Sequence, residues 1–179
     1  MVLRNIFHTS GSLIPFSYIF FGRDFAFVLS LMAFVTISIF ELFRIKGGIK
    51  VRIVERLLKT KESKRPTGSF YFLLASIFVI LLFESEAAIL SLFVLSFCDP
   101  LAASFGRRFG KKRWRGKSLE GSMVFFLASL LFLFFAKVDI ESCILVSLVS
   151  TLTEFFSTRL DDNFTIPLST AFALQFFSF

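Results

Sequence analysis

Between Asp99 and Ser122 the chain carries side chains suited to handling phosphate. Asp99-Pro100 closes a long apolar run, and Ala102-Ala103, Gly106 and Gly110 follow at spacings of three to four residues. Arg107, Arg108, Lys111, Lys112, Arg113, Arg115 and Lys117 make a dense basic cluster. Lys117-Ser118-Leu119-Glu120-Gly121-Ser122 then leads back into apolar sequence. Carboxylates hold divalent cations, cations offset phosphate charge, and glycines let a backbone come close. Together these are the parts of phosphoryl transfer.

Each part also has a plainer reading. Asp99-Pro100 reads equally as a helix cap followed by proline at a first helical position. On that reading the apolar run breaks at Cys98 and restarts as a short helix, Pro100–Phe109. Gly106 and Gly110 suit close approach to another helix as well as to phosphate. The basic cluster serves as a topology signal, a site for anionic lipid headgroups, or a partner for polyphosphate. Gly116-Lys117-Ser118 looks like the tail of a P-loop, but the motif's first glycine would fall on Lys111, and no strand precedes it. A Walker-type site is excluded.

The elements that must position these residues are membrane helices. The chain has 179 residues, 55% hydrophobic and 18% charged, with 29 phenylalanines and a mean hydropathy of +0.78. Apolar stretches of about twenty residues read as spans. About seven are expected, near Ile6–Phe21, Phe25–Phe43, Phe70–Phe83, Ala87–Phe105, Leu119–Ala136, Ile140–Thr158 and Phe164–Phe179. The fold class is therefore all-α, a polytopic transmembrane helical bundle in one domain over 1–179. The first run lacks a small-residue cleavage site and reads as a helix rather than a cleaved signal. Cys98 and Cys143 lie in or beside apolar runs, with no CxxC and no Cys/His cluster, which argues against a zinc site or a disulfide framework.

The net charge of +7 matters through its placement. One basic loop runs from Arg44 to Arg65 and the second from Arg107 to Lys117, while the turns at Glu84-Ser85-Glu86 and Lys137–Glu141 are acidic or near neutral. The positive-inside rule puts both basic loops and the N-terminus in the cytoplasm and the C-terminus outside. His8, Glu41, Arg65–Ser69, Asp99–Ser122 and Glu154–Asn163 then gather at one membrane face. Cytoplasmic loops account for the basic residues, so no nucleic-acid partner is expected. In the first loop, Ile49, Ile53 and Leu57 share a helical face, with Lys50, Arg52, Arg56 and Lys59 on the rest. This suits a helix lying on anionic headgroups, or a solvated connector with one apolar side.

The sequence resembles the CTP-dependent lipid-alcohol kinase family, which includes CTP-using diacylglycerol kinases, dolichol kinases, and phytol or farnesol kinases. The resemblance covers nearly the whole chain. Its most specific part is Asp99, Ala102-Ala103, Gly106, Gly110 and Lys117 to Ser122. Arg4, His8 and Gly11, then Glu41 and Arg44, then Arg65-Pro66-Thr67-Gly68-Ser69 resemble the family's upstream pattern. Glu154, Asp161-Asp162-Asn163 and Pro167 resemble its ending.

The resemblance implies transfer of the γ-phosphate of CTP to a membrane lipid alcohol, such as diacylglycerol, a polyprenol or phytol. It also implies a divalent cation, magnesium or calcium. It assigns metal binding to Asp99 and Asp162, with Glu154 as a third ligand. Lys117, Arg107 and Arg108 hold phosphates, and Gly106, Gly110 and Gly121 belong to the phosphate-binding motif. Ser118 and Ser122 bond to phosphate or metal, and Asn163 to nucleotide or metal. Glu120 binds metal or accepts the alcohol proton. His8 orients substrate or acts as a base; Arg4 and His8 share a helix face, so a structural histidine is the competing reading. Asp161 also reads as a helix cap. The rival activities are a CTP:phosphatidate cytidylyltransferase, which forms a CDP-lipid, and a non-enzymatic transporter or scaffold. The sequence is silent on oligomeric state.

Overall fold

A computed structural model describes residues 9–47, 65–114, 116–157 and 160–177. After a short 3-10 turn at Ser10–Ser12 come α1 (Leu13–Gly47), α2 (Gly68–Leu82) and α3 (Ser85–Phe109). A two-stranded hairpin follows, β1 (Arg113–Trp114) and β2 (Lys117–Ser118), then α4 (Leu119–Phe135), α5 (Ile140–Phe156) and α6 (Asp162–Phe177). The described chain is all-α apart from this hairpin, which the sequence reading treated as loop. His8, Arg4, Arg115 and the amphipathic stretch of the first basic loop lie outside the described residues.

Among the described residues six helices are assigned, where about seven spans were expected for the chain. The difference lies in α1, where the described part of the first expected span meets the second, Phe25–Phe43, with only a break at Gly22. Contacts along α2 trace the path on either side. Before the break, Gly11 lies against Phe72 and Tyr18 Oη donates to Ser85 Oγ at 3.1 Å. Beyond it, Arg23 donates to the carbonyls of Ile80 at 2.9 Å and Leu81 at 2.8 Å. Phe34 then meets Phe70, and Glu41 meets Thr67. The two limbs of α1 therefore run in opposite senses. Gly22, at φ 84° and ψ 178°, occupies backbone space essentially restricted to glycine. Gly22→Ala should destabilise the fold by about 1–3 kcal/mol in thermal unfolding in micelles, although no atom crowds its Cβ position.

Helices α3 to α6 form a four-helix bundle. Both α3 and α5 pack against α4 and α6, so α3 and α5 stand on a diagonal. Helix α2 covers α6, and α1 lies over α2 and α3. The core combines Leu92, Leu95, Phe125, Leu133, Val146, Ile166 and Leu174 with small hydroxyl residues such as Ser91, Ser147, Ser150 and Thr170. Many large apolar side chains also point outward, including Phe20, Phe21, Leu82, Phe134, Phe135, Phe172 and Phe176. An apolar exterior over an apolar core is the pattern of a membrane protein. Two described stretches, Ser10–Lys46 and Ser85–Phe109, are long and apolar enough to cross a bilayer.

The expected break at Cys98 does not occur. Helix α3 is continuous through a buried Pro100, so Asp99 sits inside the helix rather than capping a new one. An interior proline forfeits one backbone bond, a loss that packing with neighbouring helices offsets in membrane bundles. The consequence is an unbroken helix from Asp99 through Ala102 and Gly106, which keeps all three on one helix face.

Candidate active site

The site begins with close packing. The head of α4 docks on the small-residue face of α3. A Cβ on Gly106 would stand 2.5 Å from Ser118 Oγ and 3.2 Å from Gly121 Cα. One on Gly121 would stand 3.1 Å from the Ala102 carbonyl oxygen, and one on Gly110 2.5 Å from Ser118 Cβ. Gly106, Gly110 and Gly121 thus bring two backbones together. Ser118 is buried in this crevice, where its Oγ accepts from Gly121 N at 3.1 Å and caps α4. Gly116, at φ 91°, makes the turn between the hairpin strands.

With Ser118 anchored, its neighbour Lys117 reaches the end of the bundle axis. Lys117 Nζ donates to Glu154 Oε1 at 2.6 Å and to Asp162 Oδ2 at 2.8 Å. Ser122 Oγ donates to the other Glu154 oxygen at 2.7 Å. Asp99 adds its charge to the field on Lys117. Each bundle helix therefore supplies one group: Asp99 from α3, Ser122 from α4, Glu154 from α5 and Asp162 from α6. Burial by itself would lower the Lys117 pKa, but the charges of Asp162, Asp99 and Glu154 outweigh it and raise the value above that of a free lysine. A raised folded-state pKa gives stability that is complete below the ordinary lysine value and lost as pH climbs through the folded-state one. Lys117 therefore stays an ammonium at any physiological pH.

Asp161 heads α6 as a cap: its carbonyl accepts from Phe164 N and Thr165 N, both at 3.1 Å, and its Oδ1 accepts from Asn163 N at 3.0 Å. Asn163 is buried, and its amide donates to Asp161 Oδ1 at 2.6 Å and Asp162 Oδ1 at 3.3 Å. The heads of α2, α4 and α6 all lie at this end, so three helix N-termini add positive potential there.

The structure thus gathers Asp99, Lys117, Ser122, Glu154, Asp162 and Asn163, while Ser118 and the three glycines hold the scaffold. Glu120 faces the base of the hairpin instead, where its Oε1 lies 3.4 Å from Lys112 N. Leu119 N donates to the Lys112 carbonyl at 3.0 Å beside it. Arg107 Nη2 lies 3.4 Å from Ser104 Oγ on its own helix, and the exposed Arg108 guanidinium lies over the Phe109 ring at 5.3 Å.

One feature escaped the sequence reading, and a second was named there only within a motif. Trp114 stacks on Phe155 with ring centroids 5.4 Å apart and meets Phe156 edge-on at 5.6 Å, pinning the hairpin beside Glu154. Its signal was a lone tryptophan inside a basic loop. Gly68 lies against the Asn163 amide; its signal was the Thr67-Gly68 pair at the head of a span.

Among the described residues no three His, Cys, Asp or Glu side chains are disposed to share one ion. Glu154 and Asp162 nevertheless converge on a single point, which the Lys117 ammonium fills. Magnesium commonly takes one or two carboxylates and completes its shell with substrate phosphates and water. This pair therefore fits a cation that arrives with a nucleotide.

An apolar helical bundle whose described residues bring a lysine and two carboxylates together at one end defines the class: a helical membrane protein with a charged, partly buried polar site. The chain belongs to a CTP-dependent lipid-kinase-like family. CTP-dependent diacylglycerol kinase 1 of Saccharomyces cerevisiae is 32% identical over 69% of this chain and 46% of its own length. A probable chloroplastic phytol kinase of Zea mays is 29% identical over 93% of this chain and 63% of its own. An uncharacterised protein of Rickettsia prowazekii is 27% identical over 98% of this chain and 94% of its own. The chain thus spans less than two thirds of these two named kinases. No family model and no solved structure matches it.

Proposed function

We propose that this chain is a kinase that moves the γ-phosphate of CTP to the hydroxyl of a membrane lipid alcohol of the diacylglycerol, polyprenol or phytol kind. The observation that carries this reading is Lys117, held between Glu154 and Asp162 on the axis of an apolar bundle. Among the described residues, Arg44, Lys46 and Arg65 and the basic cluster from Arg107 to Lys117 lie at that end, which the positive-inside rule makes cytoplasmic. Nucleotide reaches it from the cytosol and the alcohol from the bilayer.

The hydroxyl oxygen of the lipid attacks the γ-phosphorus, the bond to the β-phosphate oxygen breaks, and CDP leaves. Lys117 supplies fixed positive charge for the transferring group. Asp99 lies deeper along α3 than the Gly106–Ser118 contact, on the bilayer side, and accepts the hydroxyl proton. Ser122 fixes the orientation of Glu154. Glu154 and Asp162 would hold a divalent cation once the Lys117 ammonium turns from them to the phosphates, and when bound the cation offsets charge there. The basic cluster around Lys111, Lys112 and Arg113 contributes further attraction for polyphosphate.

The test is product analysis in lipid micelles with γ-labelled CTP or ATP, magnesium, and diacylglycerol, polyprenol, phytol or phosphatidate. Label passing from CTP to an alcohol, with CDP formed, is the expected outcome. Pyrophosphate release with a CDP-lipid product would assign the cytidylyltransferase reaction instead. A second prediction uses Trp114, the single tryptophan of the chain. Its place beside Lys117 in the hairpin register makes its emission respond to CTP with magnesium. Trp114→Phe should abolish that signal and leave other binding readouts in place.

A further inference from the structure

Gly68 opens α2 against the Asn163 amide, where a Cβ would stand 2.6 Å from Nδ2. Its backbone angles do not demand glycine; among the described glycines only Gly22 and Gly116 have positive φ. What the position demands is the absence of a side chain. Asn163 is 4% exposed, and its amide donates to Asp161 and Asp162. Asp162 turns its other oxygen to Lys117.

The backbone of Gly68 is itself held from the α1 side. Glu41, 3% exposed, accepts from Thr67 N at 3.0 Å through Oε1 and from Arg44 Nε at 2.8 Å through Oε2. Arg44 Nη2 donates to the Arg65 carbonyl at 2.6 Å. A continuous series of contacts thus runs from Glu41 through Thr67, Gly68, Asn163 and Asp162 to Lys117.

We propose that Gly68 is a positioning residue for the Asp162–Lys117 pair, acting through the Asn163 amide, with the Glu41–Arg44 pair fixing the backbone it sits on. A methyl group at 68 displaces the amide, the amide displaces Asp162, and Lys117 loses one of its two carboxylate partners. Where this is read through turnover it rests on the kinase assignment; where it is read through the state of Lys117 it does not.

The experiment compares the full chain in micelles with Gly68→Ala, Asn163→Ala and the double variant. Two readouts are taken: kcat and KM for CTP, and the acylation rate of Lys117 by an amine-reactive ester, followed by peptide mass spectrometry. The exposed Lys137 serves as the internal control. Gly68→Ala should lower kcat about 10- to 100-fold, a larger effect than its rise in KM for CTP. It should also speed acylation of Lys117 but not of Lys137. In the Asn163→Ala background the same substitution should add nothing to either readout. Additive losses, or unchanged Lys117 acylation in Gly68→Ala, would overturn the proposal. Wild-type protein without turnover would remove the kinase assignment, while the acylation rates still decide the positioning role. If Gly68→Ala does not fold, Glu41→Gln decides: faster Lys117 acylation upholds the proposal and an unchanged rate overturns it.

Discussion

Lys117→Met should reduce phosphoryl transfer by about a thousandfold or more, the scale on which fixed charge at a transferring group acts. Removing the ammonium leaves Glu154 and Asp162 facing one another near a buried axis, with side chains only 6% and 14% exposed. Breaking a buried pair from one side costs roughly 3–5 kcal/mol. Lys117 is still 22% exposed, so the cost should fall at about the low end of that range. Lys117→Arg should not restore activity, because the planar guanidinium cannot replace a compact point charge between two carboxylates. Lys117→Met combined with Glu154→Gln should regain stability by removing one stranded charge, yet stay inactive. Thermal unfolding beside turnover separates the two effects. Full activity in a folded Lys117→Met protein would sink the assignment of this lysine.

Gly106→Ala offers a test by sign. Inside a helix, alanine is more favourable than glycine by about 1 kcal/mol. Were Gly106 only a helix residue, the substitution would stabilise. The contact with Ser118 Oγ at 2.5 Å and Gly121 Cα at 3.2 Å predicts the opposite, since the nearer atom is a buried side chain in a cap and the other is backbone. Overpacking of this kind costs about 1–3 kcal/mol. Moving Ser118 also moves Lys117, so turnover should fall by about tenfold or more. A Gly106→Ala protein that is more stable and equally active would show that the α3–α4 contact does not set the site.

Much of the fold is legible in local sequence. Long apolar runs mark the helices because an apolar helix is the simplest way to satisfy backbone polar groups in hydrocarbon. Gly22-Arg23 separates the limbs of α1, and Asp161 reads as the cap it is. Asp99-Pro100 misled, since a local cap signal was overridden by packing around α3. The hairpin at Arg113–Ser118 was missed because two-residue strands have no period to detect.

The site was legible as a set of residues and not as a geometry. The chain by itself determined that Asp99, Lys117, Ser122, Glu154, Asp162 and Asn163 stand among apolar runs near one end of the helices, because hydropathy and spacing are local properties. The tertiary structure alone decided the pairing. Lys117 meets Glu154 and Asp162 across 37 and 45 residues, and Glu120 turns to Lys112 instead. The physical reason is helix rotation and depth: the glycine contact of α3 with α4 sets how far Lys117 reaches along the axis, and the packing of α5 and α6 sets which carboxylates face it.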